Sequence, residues 1–318
     1  MSLKKTLLGS TMLLLAAFFW GSTFVAQSSA AVKIAPFGYL FARSLVGALA
    51  LFLVVLLRMA LAARKKGKDT EKPKPLFTKK ALVGGILCGV ALTVASAFQQ
   101  YGIHLGASAG EAGFLTAIYM FIVPLLSFVI YRKRPSINVL AGAILTAVGL
   151  YFLCIKGQEG GPFGIGQGLL LCCAFFYAVH ILVIDRFEEV DGMVLSAIQF
   201  ATCGLLSLPI SLLFEHPSPS DFKLAWFPIL YAGIFSSAIA YTLQIYGQKC
   251  APPALTSVLM STESVIALLA EWACAAIGIF GTPFSLSFDQ ILGCVLAFVG
   301  IVTAQLVFKG KKKEKATS

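Results

Sequence analysis

The chain has 318 residues, of which 58% are hydrophobic and only 12% charged, about half the charge that soluble domains carry. A mean hydropathy of +0.88 and long stretches without Asp, Glu, Lys or Arg exclude an ordinary soluble enzyme or binding domain and place most of the chain in lipid. The formal net charge of +11 would raise the question of nucleic acid in a soluble protein, but the distribution of that charge, described below, removes it.

Uncharged apolar runs of the length that crosses a ~30 Å hydrocarbon core at 1.5 Å per residue are read in chain order at about 7–31, 37–61, 81–104, 110–131, 137–155, 164–185, 192–214, 224–247, 254–280 and 289–308. The expected fold class is an all-α polytopic membrane protein with ten transmembrane helices. A membrane barrel would show short alternating segments instead. The first run, after Lys4 and Lys5 and before Gln27-Ser28-Ser29-Ala30, imitates a secretory signal, but it is longer than the usual 7–15 residues and is read as a span. The second run contains Arg43, and the ninth contains Glu263 and Glu271. Between the second and third lies the longest polar connection, Ala63 to Lys80, expected as a solvated linker. The end of the chain, 309–318, is expected as a basic tail. Eight cysteines fall within or at the edges of spans without CxxC spacing, which suits helix packing and implies no disulfide framework and no metal or cofactor site.

With ten spans, alternate connections lie on opposite sides. One side collects twenty-one Lys and Arg, including nine from Arg58 through Lys80 and five from Lys309 to Lys315; the other has Lys33, Lys156 and Lys223. The positive-inside rule then puts both termini in the cytoplasm of a cell (plasma or inner) membrane. The basic excess is an orientation device with some attraction to anionic lipid, and no nucleic-acid partner is expected.

The chain resembles itself. Leu13 to Trp20 matches Leu170 to Tyr177, Gln99-Gln100-Tyr101-Gly102 matches Gln244-Ile245-Tyr246-Gly247, and Gly142 to Gly149 matches Gly293 to Gly300, with the order kept. A repeated unit with five spans reverses direction, which predicts two inverted five-helix repeats, 1–158 and 159–308, around a pseudo-two-fold axis in the membrane plane. That is the geometry of alternating access around a midplane site, and it points to a carrier.

The runs Phe19-Trp20-Gly21-Ser22-Thr23-Phe24-Val25, Pro36 to Arg43, Tyr119 to Leu126 and Ala240-Tyr241-Thr242-Leu243-Gln244 resemble the EamA-type branch of the drug/metabolite transporter superfamily over essentially the whole chain. The resemblance implies ten helices in two inverted repeats and export or exchange of small metabolites, often amino acids. The family's members often carry Glu-Pro in the ninth helix and a Glu near the cytoplasmic end of the fourth; here Glu263-Ser264 and Lys133 stand at those places.

An ionisable group at membrane depth is a functional candidate by default. Glu263, about ten residues into its span, is read as a proton or cation carrier, with a structural carboxyl as the alternative. Trp20, Tyr119 and Tyr177 are assigned to the same midplane site, Trp20 and Tyr177 as repeat-related aromatic faces that could hold an apolar or cationic ligand. Arg43, with Gln199 as its repeat counterpart, is read as lining the pathway, meeting a substrate carboxylate or an acid such as Glu263, or else snorkelling outward. Gln99 and Gln244, with Tyr101 and Tyr246, are placed toward the two ends of the pathway. His180 is either a proton relay or a structural histidine, and Glu271 lines an outer vestibule or sits at the interface. The string Gly106-Ala107-Ser108-Ala109-Gly110 fits a hydrolase elbow, but it joins two membrane helices, so an intramembrane hydrolase using Ser108 stands as an alternative, as does a channel. No P-loop or HExxH motif occurs. The expected partners are a small-molecule substrate, membrane lipid and coupling protons, with the chain as a monomer or homodimer.

Overall fold

The computed structural model describes residues 3–65, 76–132, 134–152, 164–279 and 287–305. Most of the expected linker, the basic tail, Lys133, Cys154, Lys156 and the 158/159 repeat boundary lie outside these. Eight helices are long and apolar enough to cross a membrane, and two more are apolar but shorter. In chain order they are α1 (Lys4–Ala31), α2 (Pro36–Ala62), α3 (Lys79–His104), α4 (Ala109–Tyr131), α5 (Ile137–Tyr151), α6 (Ile165–Arg186), α7 (Gly192–Glu215), α8 (Trp226–Gln248), α9 (Pro253–Ala276) and α10 (Phe288–Ala304), with α5 and α10 the short pair. The chain is an all-α polytopic membrane protein.

Local chemistry sets the helix starts. Thr78 caps α3 by accepting from the Ala81 amide, and Ser108 and Glu111 form a reciprocal capping box on α4, satisfying amides that a helix start leaves open. Asp191 caps α7 by accepting from the Met193 and Val194 amides. Helix α2 begins at Pro36 after Ala35, which has no capping group. The amides of Phe37 and Gly38 donate instead to the carboxylate of Glu215, at the far end of α7.

Side chains that would be a liability in water line the outside. Leu49, Leu53, Leu56, Leu125, Val129, Leu205 and Phe298 are all exposed, the surface a lipid-facing bundle presents. Inside, glycines let backbones meet. A Cβ on Gly142 would stand 2.5 Å from the Gly300 carbonyl oxygen, and one on Gly149 2.4 Å from the Ala297 nitrogen, so α5 and α10 touch along an antiparallel glycine seam. Comparable approaches join Gly9 to Gly247 between α1 and α8, and Gly102 to Gly166 between α3 and α6. The remaining main contacts are α1 with α9, α2 with α7 and α8, α3 with α7, and α4 with α6 and α9.

Two spans are interrupted at mid-depth. Helix α4 breaks at Ile118, and α9 breaks at Ser261 and Thr262. At the second break the Ser261 and Thr262 hydroxyls donate to the Val258 and Leu259 carbonyls at 2.7 and 2.8 Å, re-satisfying backbone that lipid cannot. Helix α8 is widened to π-helix over Ala232–Ala240.

Candidate functional site

The two breaks deliver the central residues. Tyr119 is the first residue after the α4 break and Glu263 the first after the α9 break, and the Tyr119 hydroxyl donates to Glu263 Oε1 at 3.0 Å. Ser264, beside it, donates to the Gly113 carbonyl at 2.6 Å and ties α9 to α4. From α1, Trp20, Phe24 and Gln27 project at i, i+4 and i+7 from one face into the same cavity. Helix α6 adds Tyr177, His180 and Ile181. In α8 the π segment matters: its five-residue hydrogen-bond step puts Ser236 and Tyr241 on one face, and Gln244 follows a turn later, all three on the cavity wall.

Arg43 enters from α2 and is 3% exposed. It does not snorkel, because its guanidinium lies 5.8 Å from the Tyr39 ring centre and donates to Ser96 Oγ at 3.1 Å. Its Nε has no hydrogen-bond partner. From Ser96 a polar chain continues: Ser96 Oγ meets the Tyr177 hydroxyl at 3.2 Å, Tyr177 donates to Gln99 Oε1 at 3.4 Å, and Gln99 donates to Thr116 Oγ1 at 3.2 Å. The Tyr241 hydroxyl donates to Tyr177, which in turn donates to Gln99, so the proton between Ser96 and Tyr177 belongs to Ser96. Tyr241 also packs edge-on against Trp20, with centroids 4.7 Å apart, and against His180 at 5.7 Å.

The expected pairing of Arg43 with Glu263 does not form; each charge has its own neutral partner. Around them Trp20 Nε1, Gln244 Oε1 and His180 Nδ1 are buried without hydrogen-bond partners. These side chains leave a narrow space at the centre, about 30 Å³ open to the centres of water-sized molecules.

The sequence assignment is corrected at several positions. Gln99 and Gln244 line the central cavity rather than the pathway ends. Gln199 lies behind the wall, its Oε1 accepting from His180 Nε2 at 3.1 Å. Glu271 stands apart from the cavity, close to the Gly110 backbone and Glu111. Ser108 Oγ is engaged by the Glu111 amide as a helix cap, which accounts for it without nucleophilic chemistry. Tyr241, Gln27, Phe24, Thr116 and Ser236 were missed as site residues. Tyr241 had a signal, since it lies 145 residues after Ser96, the spacing of the Gln99 and Gln244 repeat.

A family model described as the EamA-like transporter family matches residues 7–155 and again 164–305. The chain belongs to the EamA-like transporter family. It is thus a membrane transporter of the drug/metabolite type and not an enzyme. An uncharacterized transporter of Archaeoglobus fulgidus is 26% identical over 95% of this chain and 87% of its own length. The uncharacterized transporter YetK of Bacillus subtilis is 27% identical over 63% of this chain and 62% of its own. A protein of known crystal structure, 24% identical, superposes with a TM-score of 0.71 over 96% of this chain and 99% of its own; that likeness is one of fold. The family-model match to this EamA-like chain covers both halves, including the helices that carry Trp20, Arg43, Tyr119, Tyr177 and Glu263.

Proposed function

We propose that this transporter moves a small zwitterionic metabolite, an amino acid or a related amphiphile, by alternating access, in the direction of export and coupled to protons. The observation that carries the reading is the pair of opposite charges in one buried cavity. Arg43 and Glu263 each rest on a neutral partner, with the aromatic faces of Trp20, Tyr177 and Tyr241 and the Tyr119 hydroxyl around them. Burying an ion at membrane depth costs at least a few kcal/mol, so two ions held apart suit a ligand that brings a carboxylate to one and an ammonium to the other. When no ammonium is bound, a proton neutralises Glu263, and that exchange is the coupling.

All ten helices cross the bilayer in this reading, as two inverted units, 1–158 and 159–308, with both termini in the cytoplasm of the cell membrane. The helix partnerships support it. Exchanging each helix for the one five places away turns the α1 and α9 contact into that of α6 with α4, α2 with α8 into α7 with α3, and α3 with α6 into α8 with α1. The α2 and α7 contact and the α5 and α10 contact map onto themselves. The glycine approaches obey the same exchange, Gly9 with Gly247 corresponding to Gly166 with Gly102.

The test is counterflow of labelled amino acids in proteoliposomes at two pH values. A carrier gives saturable uptake accelerated by unlabelled substrate on the opposite side, and a channel gives none. Glu263→Gln is expected to abolish the pH dependence. An unchanged pH profile removes Glu263 from the coupling.

A further inference from the structure

The central cavity is narrow, so loading an amino-acid-sized substrate requires one end of the bundle to part, and at each of the two ends of the α2 and α7 pair a carboxylate that caps a helix start also binds a side chain of another helix. At one end the Glu215 carboxylate receives three hydrogen bonds of 2.9 Å, from the Phe37 amide, the Gly38 amide and the Tyr101 hydroxyl. Two of these cap the uncapped start of α2. The third reaches across to the last turn of α3.

The other end repeats the arrangement with different residues. Asp191 caps the corresponding two amides of α7, those of Met193 and Val194, and holds Arg58 of α2 in a 3.1 Å ion pair. Tyr246, in the last turn of α8, lays its ring over Gly192, the first residue of α7, where a Cβ would meet it at 3.0 Å, beside the Arg58 and Asp191 pair. Tyr101 and Tyr246 are 145 residues apart, the offset that relates Gln99 to Gln244. Lys80 pairs with Glu189, and Lys249 donates to the Val190 carbonyl, at this second end.

Resting on the alternating-access reading above, we infer that Tyr101 on Glu215 and Tyr246 on the Arg58 and Asp191 pair are the two latches of the transport cycle. Each fastens the end of one helix, α3 or α8, to the α2 and α7 pair, and each is released when the cavity opens to its own side. The α2 and α7 pair, clamped at both ends by carboxylates on first-turn amides, is the fixed frame. At the Glu215 end the Tyr101 hydroxyl crosses from that frame to the last turn of α3, while at mid-depth Arg43 reaches α3 through Ser96. Tyr101 and Tyr246 are positioning residues, since neither lines the cavity.

The experiment places a thiol in the cavity with Thr116→Cys and applies a membrane-impermeant maleimide to right-side-out and inverted vesicles. Alkylation is read peptide by peptide so that native cysteines do not interfere. Tyr101→Phe keeps the ring and the α2 cap and removes one hydrogen bond to a carboxylate. It is expected to raise labelling from the Glu215 side, relative to the other, about tenfold. Tyr246→Phe is expected to shift the ratio the opposite way. A loss of packing alone would lower thermal stability without moving the ratio. If the thiol reacts from both sides in the parent and neither tyrosine variant changes the ratio, the latches are refuted while alternating access stands. If it reacts from one side only in every variant, alternating access fails and the latches with it.

Discussion

At the scale of single residues, Arg43 and Glu263 illustrate why a buried charge carries more information than an exposed one. Arg43 spends one donor on Ser96 and leaves Nε without a partner, a state that a bound carboxylate relieves. Arg43→Gln is expected to weaken binding of a zwitterion ten- to about a hundredfold, the range for losing a charged hydrogen bond. The same metabolite lacking its carboxylate should bind both proteins equally in a thermal-shift titration. Asp191 offers a pH test outside the membrane. Partial burial pushes its carboxyl up, but Arg58 and the Val194 and Met193 amides outweigh this and hold it below the ordinary aspartate range. Its contribution is therefore complete at neutral pH and lost as pH falls through that lowered value. Asp191→Asn keeps a good cap and loses the half-exposed ion pair, worth under about 1 kcal/mol after solvent screening. Melting curves of the two proteins in detergent should differ slightly at pH 7 and converge in acid.

At the scale of elements, the irregular helices are where the site is made. The breaks in α4 and α9 present Tyr119 and Glu263 to each other, and the π segment of α8 brings Ser236 and Tyr241 onto one face. None of this was legible from apolar runs, because a broken span and a straight one have the same hydropathy. Gln99 and Gln244 were misplaced for a related reason: their nearness to the span ends was read as nearness to the pathway ends, and the cavity reaches as far along the bundle as both residues. The glycine seam was legible, since Gly142 to Gly149 and Gly293 to Gly300 were matched as sequences before they were found in contact. Gly149→Ala puts a methyl 2.4 Å from the Ala297 nitrogen, and backbone cannot retreat as a side chain does. We expect it to cost about 1–3 kcal/mol, seen as a lower melting temperature. Gly168→Ala, within α6 and with nothing inside 4 Å, is the control: it should raise stability by up to ~1 kcal/mol through helix propensity.

At the scale of the whole molecule, composition and charge carry the topology. Twenty-one basic residues against three across alternate connections survive only if no span in mid-chain is missed or invented, which makes the count a test of α5 and α10 as well as of orientation. A C-terminal green fluorescent protein fusion should fluoresce in cells and a C-terminal alkaline phosphatase fusion should be inactive. The opposite pair of results would mean that an odd number of spans crosses the bilayer, or that the orientation is reversed. The latches belong to this scale too, because each joins helix ends from both halves of the chain.

By itself the sequence determined that the chain lives in lipid, which segments are helical and apolar, the internal repeat, and the short set of buried ionisable residues. These follow from one-dimensional properties: hydropathy, charge position and self-similarity. The tertiary structure alone decided that Arg43 and Glu263 keep separate neutral partners, that Tyr241 joins Trp20, Tyr177 and His180, and that Glu215 caps a helix from which it is 178 residues distant. Such pairings depend on where helices break and how closely glycines let them approach, and those distances are fixed only when all the helices pack together.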